Sequence, residues 1–270
     1  VNISIDLTGE PELKELGEIV QTLNDVVAGR WLIVGATARD LILHYAHRLP
    51  IARKTVDLDI GVAIASWQRF DELRRRLIGR GALAVPNVAH RLRLRGWSID
   101  VVPFGGVEHD GVIAWPPAGD TEMSVLGFTE AITHATSVIL PGDVIAAVAS
   151  PPALLLLKLM AWDDRHHELL RHDAYDIRIL LDSYSREWNV DHLYDDGDDL
   201  LQRFGYDNVL AGAALLARDA RAIAERATAE RIAIILEREA SGDTLVLAAD
   251  MSGRVEENLS LLEAVRFGFL

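Results

Sequence analysis

The sequence predicts an α+β protein, with a mixed β-sheet and flanking helices in residues 1–145 followed by an α-helical domain over residues 146–270. Three observations predict it. Short apolar runs with strand alternation recur in the first half, at Trp31–Val34, Val56–Val62 and His90–Phe104, and helical periodicity lies between them. A glycine, Gly35, stands where the first of these runs meets a helix. From Pro151-Pro152 onward the pattern turns helical and rich in Ala, Leu, Arg and Glu to the end of the chain.

Pro11 to Val27 places Leu13, Leu16, Ile19, Val20, Leu23 and Val26 at helical spacing, and Gly29 ends the run. Trp31-Leu32-Ile33-Val34 is a buried strand. It stops at Gly35, and the periodicity of Leu41, Ile42 and Tyr45 begins a helix at once. A strand–helix junction leaves backbone N–H groups unpaired at the helix N-terminus, which favours phosphate. Arg39, on the first turn, is expected to face the same crevice. Val56, Leu58, Ile60 and Val62 alternate with Asp57 and Asp59, so both carboxylates lie on one face of a strand, roughly 7 Å apart. Two carboxylates held side by side call for a cation between them, and an oxygen-seeking divalent metal answers that need.

Ser66 is the expected N-cap of a helix to Leu77, made basic by Arg74, Arg75, Arg76 and Arg80. His90 to Arg95 alternates strictly, with Arg91, Arg93 and Arg95 expected on one face. Gly96 turns the chain into a return strand, Trp97 to Phe104, in which Asp100 is the one acid of an apolar run. A buried, unpaired carboxylate is costly, so it needs a cation, either an arginine across the hairpin or a metal. Residues 105–127 read as loops with short strands, Leu140 to Asp143 as a turn, and the domain boundary falls between Pro141 and Pro151. In the second half Lys158 stands alone in a leucine-rich helix, and an ammonium there is costly to bury without an anion such as a triphosphate. Asp173 and Asp176, three residues apart, share a helix face.

The 270 residues are 50% apolar and include no cysteine, which excludes disulfides and thiolate metal sites. No apolar run reaches the length of a bilayer span, and the acidic N-terminal stretch lacks a basic leader pattern, so a cytoplasmic location is the expectation. The formal charge of −14 is uneven: residues 1–140 carry 14 basic and 17 acidic side chains, residues 141–270 carry 13 and 24. An extended phosphate-binding surface is therefore not expected on the second half, although a local basic patch in the first remains open. The acidic half would suit a cationic acceptor or partner.

The order of strand, glycine turn, helix, Asp-x-Asp strand and hairpin with a third Asp resembles the nucleotidyltransferase fold shared with DNA polymerase β. The segments IVGATARDLIL, RKTVDLDIGV and SIDVVPFG carry the resemblance, which is closest to the AbiEii/AbiGii group, the toxin half of type IV toxin–antitoxin pairs. That group has a glycine-small turn followed by Arg-x-Thr-x-Asp-x-Asp, matched here by Arg53, Thr55, Asp57 and Asp59. LLLLKLMAWDDR and RHDAYDI resemble its helical motifs, with His172 where arginine is more usual. The resemblance runs from Trp31 to Leu181.

It implies transfer of a nucleoside monophosphate from a nucleoside triphosphate to an acceptor hydroxyl, with Mg²⁺ or Mn²⁺ held by Asp57, Asp59 and Asp100. Asp100 doubles as general base. Gly35, Ala36, Thr37, Arg39, Arg53, Thr55 and Lys158 would contact the nucleotide, and Asp173 and Asp176 would orient Lys158. Ala36 stands where many relatives have serine, so Thr37 or backbone N–H groups take over the terminal phosphate. The expected acceptor is RNA, such as a tRNA end, or a protein, and the expected partner is a cognate antitoxin. The alternatives are transfer to a cationic small molecule of aminoglycoside type, and a nucleotide-binding module without catalysis.

Overall fold

The computed structural model describes residues 4–50, 56–86, 88–116, 119, 121–168, 171–241 and 244–270. The chain divides into two compact units, Val1–Ser150 and Pro151–Leu270. In the first unit an eight-stranded mixed sheet is built from β1 (Ser4–Asp6), β2 (Trp31–Val34), β3 (Asp57–Ile64), β4 (Leu83–Ala84), β5 (Arg91–Leu94), β6 (Trp97–Gly105), β9 (Thr136–Leu140) and β10 (Val144–Val148). Their order is β1-β9-β10-β2-β3-β6-β5-β4. A separate hairpin pairs β7 (Val112–Ala114) with β8 (Glu122–Ser124).

The alternation of β3 decides which face is buried. Leu58, Ile60 and Val62 are fully buried on one side, while Asp57, Asp59 and Gly61 point to the other. The long helix α1 (Lys14–Val26) packs against the first side, where Trp31 Nε1 donates to Asn24 Oδ1 at 3.2 Å, and α3 (Trp67–Gly79) packs beside it. Ser66 caps α3 by accepting from the Arg69 N–H. The second side is covered at one end by α2 (Gly35–Arg39), which continues as a π-helical stretch from Asp40 to Ala46. At the other end lies α4 (Phe128–Thr133). Gly61 has no side chain because Phe128 lies on it: a Cβ would stand 2.6 Å from the Phe128 ring. The acids of β3 sit at the end nearer α2, beyond the reach of this apolar cover.

Parallel pairing of β3 with β6 sets Asp59 opposite Asp100, and antiparallel pairing of β5 with β6 sets Arg91 opposite Asp100. The β5–β6 turn consists of Arg95 and Gly96, both at positive φ (52° and 83°), the two-residue turn whose twist matches a hairpin. The expected arginine face is therefore shorter than the alternation predicts. Arg91 and Arg93 share it, but Arg95 belongs to the turn and its guanidinium pairs with Glu18 of α1 at 2.7 Å. Strands β1, β4, β9 and β10 are additions to the sequence reading, which places only a turn, Leu140–Asp143, between the last two.

The second unit is helical throughout its described residues: α5 (Pro151–Arg165), α6 (His172–Ser183), α7 (Val190–Asp196), α8 (Asp198–Arg203), α9 (Asn208–Ile223), α10 (Arg226–Ala240), α11 (Val246–Asp250) and α12 (Val255–Phe269). Helix α5 is its axis. Leu154 to Leu157, Leu159, Met160 and Trp162 are all buried, so α5 is apolar around most of its circumference. Helices α9 and α12 cross where Gly268 lies on the Ala214 carbonyl, and any Cβ at 268 would overlap that oxygen. No helix among the described residues is long and apolar enough to cross a membrane.

Candidate active site

The strand–turn–helix from β2 to α2 places Gly35 against β3. Gly35 has φ +67°, a conformation that disfavours a side chain, and a Cβ there would stand 2.2 Å from Asp59 Oδ2. The Asp59 carboxylate thus fills the space that the absent side chain leaves, directly at the first turn of α2. Ala36 is buried behind it. Thr37, also buried, donates its hydroxyl to the backbone carbonyl of Asp57 at 2.8 Å, tying α2 to the start of the Asp-x-Asp strand. Arg39 does not open onto a crevice: its side chain is 4% exposed, and Nε and Nη2 donate to Asp40 Oδ1 at 2.9 and 2.7 Å. Ala36 to Asp40 are all buried, so this turn is enclosed on every side. Arg53 and Thr55 lie outside the described residues.

Asp57 is exposed, Asp59 half-buried and Asp100 partly shielded, its side chain 18% exposed. Of the two cations that the sequence leaves open for Asp100, the structure provides the arginine. Arg91 donates from Nε to Asp100 Oδ1 at 2.7 Å and from Nη2 to Oδ2 at 2.6 Å, a bidentate pair that uses both carboxylate oxygens. The hydrogen bond to Asp100 holds the Arg91 guanidinium above its usual pKa against the opposing effect of burial, and the nearby charges of Asp57 and Asp59 add to it. One guanidinium therefore serves the field of all three acids. Sequence reading missed this specific pairing, although the two-residue turn contains it: counting outward from Arg95-Gly96 brings Arg91 to Asp100.

The donor set suits a hard divalent cation. It consists of carboxylates on two adjacent strands, with oxygen donors only, and Asp59 is packed against Gly35, where no side chain intervenes. Among the described residues no three acidic or imidazole side chains already converge into an ion cage.

In the second unit Lys158, 11% exposed, donates to Asp173 Oδ1 at 2.9 Å and pairs with Asp176 Oδ2 at 2.6 Å. Arg165 closes the cluster on Asp173 Oδ2 at 2.7–2.8 Å. Burial alone would lower the Lys158 pKa, but the two carboxylates outweigh it and raise it. Burial alone would raise Asp173, and Lys158 and Arg165 pull it below the usual carboxylate range. The anions that keep this ammonium charged in the interior are thus supplied by the chain itself, three residues apart on one face of α6.

A family model described as "Nucleotidyl transferase AbiEii toxin, Type IV TA system" matches residues 21–240. The chain belongs to this family. The enzyme is a nucleotidyltransferase, and the matched region takes in the Gly35 turn, the Asp-x-Asp strand, Asp100 and the Lys158 cluster of this AbiEii-family chain. Among solved structures it is similar to a crystal structure of ANT(2'')-Ia in complex with adenylyl-2''-tobramycin. The TM-score is 0.37 at 14% identity, over 67% of this chain and 94% of that one. It is also similar to a solution structure of ANT(2'')-Ia, with TM-score 0.34 at 15% identity over 68% and 96%. No curated protein matches the chain.

Proposed function

We propose that this nucleotidyltransferase moves a nucleoside monophosphate from a nucleoside triphosphate to a hydroxyl of RNA, such as a tRNA end, with Mg²⁺ held by Asp57, Asp59 and Asp100, as the toxin of a type IV pair restrained by a cognate antitoxin. The observation that carries the reading is the register. Asp59 lies opposite Asp100 on adjacent strands, Asp57 lies two residues away on the same face, and the Gly35 turn at the start of α2 lies against Asp59 without a side chain between them. A bound divalent cation would neutralise the triphosphate and acidify the acceptor hydroxyl.

The chain's own groups supply the rest. Backbone N–H groups of the Gly35–Ala36 turn would receive the terminal phosphates, and the Thr37 bond to the Asp57 carbonyl fixes that turn relative to the acids. Asp100 takes the proton of the acceptor hydroxyl as its oxygen attacks the α-phosphorus. The new O–P bond forms while the bond to the β-phosphate oxygen breaks, and pyrophosphate leaves. Within the second unit Asp173 and Asp176 fix the Lys158 ammonium, and Arg53, Thr55 and Arg39 enter as contacts or supports of the Gly35 turn.

The test is transfer of label from each of four α-labelled nucleoside triphosphates to total tRNA, with Mg²⁺, using the Asp57→Ala/Asp59→Ala double variant as control. Label on tRNA that disappears in the variant supports the reading. Absence of label on RNA, together with label on an aminoglycoside or a protein, replaces the acceptor; binding of nucleotide without any transfer removes catalysis.

A further inference from the structure

The proposed reaction requires Asp100 to offer an oxygen, and in this structure both oxygens are taken. The pairing is built by register, and it is asymmetric in its surroundings. Arg91 is 43% exposed while Asp100 is 18% exposed. The guanidinium can therefore leave toward water with little desolvation, whereas the carboxylate stays where it is. A divalent cation arriving among Asp57, Asp59 and Asp100 would meet a like charge in the same field, and like charges held this close repel. Arg91 and the cation are competitors for one carboxylate.

The displaced guanidinium has a ready alternative. It lies on the same strand face as Arg93, which is exposed and has no ion-pair partner among the described residues. A planar fork of donors fits a phosphate as well as it fits a carboxylate. We infer that Arg91 is a positioning residue that exchanges Asp100 for a phosphate of the bound nucleoside triphosphate, so that each completes the site for the other: the cation frees Arg91 for the nucleotide, and the nucleotide draws Arg91 away from the cation's ligand. This inference rests on the nucleotidyl-transfer reading of the same site.

The coupling has a signature that a merely structural role lacks. Removing Arg91 removes the cation's competitor and the nucleotide's contact together, so the two affinities move in opposite directions. Mn²⁺ binding by the whole protein is measured by electron paramagnetic resonance without nucleotide. Binding of a non-hydrolysable α,β-substituted triphosphate is measured by calorimetry with saturating Mn²⁺. For Arg91→Ala we expect Mn²⁺ to bind about tenfold tighter and the nucleotide about tenfold weaker, the size of one lost charge–charge contact at a partly exposed site.

Arg91→Lys, which keeps the charge but not the fork, is carried in parallel and is expected between the wild type and the alanine variant in both measurements. Melting curves identify which variant is folded, and the lysine variant, which keeps the charge beside Asp100, is the safer of the two. Unchanged or weakened Mn²⁺ binding in a folded variant overturns the inference, as does unchanged nucleotide binding. Label transfer in the wild type is scored separately. Opposed affinity shifts without any transfer would leave the exchange standing and remove the reaction, whereas transfer without opposed shifts would do the reverse.

Discussion

At the scale of the residue, the site depends on what is missing as much as on what is present. Gly35 is the clearest case, since its positive φ and the 2.2 Å approach to Asp59 Oδ2 both exclude a side chain. Gly35→Ala is expected to cost about 1–2 kcal/mol from the backbone alone. It should weaken Mn²⁺ binding further by pushing the Asp59 carboxylate aside; a variant that melts like the wild type and binds Mn²⁺ equally well would contradict the packing. Lys158 makes the opposite point. Its ammonium is surrounded by acids with almost no access to water, so Lys158→Met would leave Asp173 and Asp176 facing each other in the interior. Removing one partner of such a group costs about 3–5 kcal/mol. Urea denaturation should show that loss at neutral pH, and an unchanged midpoint would mean that the cluster is not held as described.

At the scale of the element, helix α7 is fastened to α9 by a histidine. His192 Nδ1 pairs with Asp196 Oδ2 at 2.8 Å and Nε2 with Asp219 Oδ2 at 2.9 Å, and Tyr184 donates its hydroxyl to the same Asp219 oxygen. Burial alone would lower the His192 pKa; the hydrogen bonds to Asp219 and Asp196 outweigh it and raise it. A raised folded-state value means that the stabilisation is complete below the unfolded value of about 6.5 and fades as pH rises through the folded one. His192→Asn should therefore lower the melting temperature most near pH 6 and progressively less toward pH 9. A deficit that is constant or grows with pH would count against the imidazolium.

The same scale shows what a sequence can disclose. The alternation Val56–Val62 carries strand, buried face and acid face in one stretch, and Ser66 announces α3. Strands β9 and β10 are less legible: each is five residues long, they form a hairpin about the Leu140–Asp143 turn, and their outer pairing with β1 and β2 is with distant partners that local periodicity does not write. Arg39 makes a related point, since helical position alone does not tell which side of a helix meets the core.

At the scale of the whole molecule, charge sets how the chain meets a polyanion. With 24 acidic against 13 basic side chains in residues 141–270, that half contributes little to holding a phosphate backbone, and the arginine face of the first half is short. If RNA is the acceptor, the plot of log affinity against log salt should have a slope no steeper than about −3, corresponding to some three or four neutralised phosphates on single strands. A slope near −10 would reveal a basic surface that the composition does not provide.

The pairing of β1 with β9 has a consequence for how the chain is made. Ser4 lies beside Ser137, so β1 leaves the ribosome some 130 residues ahead of its partner, while β3 waits for β6 and β2 for β10. At about 5–20 residues per second, that is a delay of roughly 7–26 s before the sheet can close. The helical unit, whose elements are local in sequence, can form much of its structure as it emerges. The first-synthesised unit is therefore the one with the longer wait, and its apolar strands are exposed during that interval. Conditions that slow translation or withdraw holding chaperones should lower the yield of folded protein through the sheet rather than through the helices.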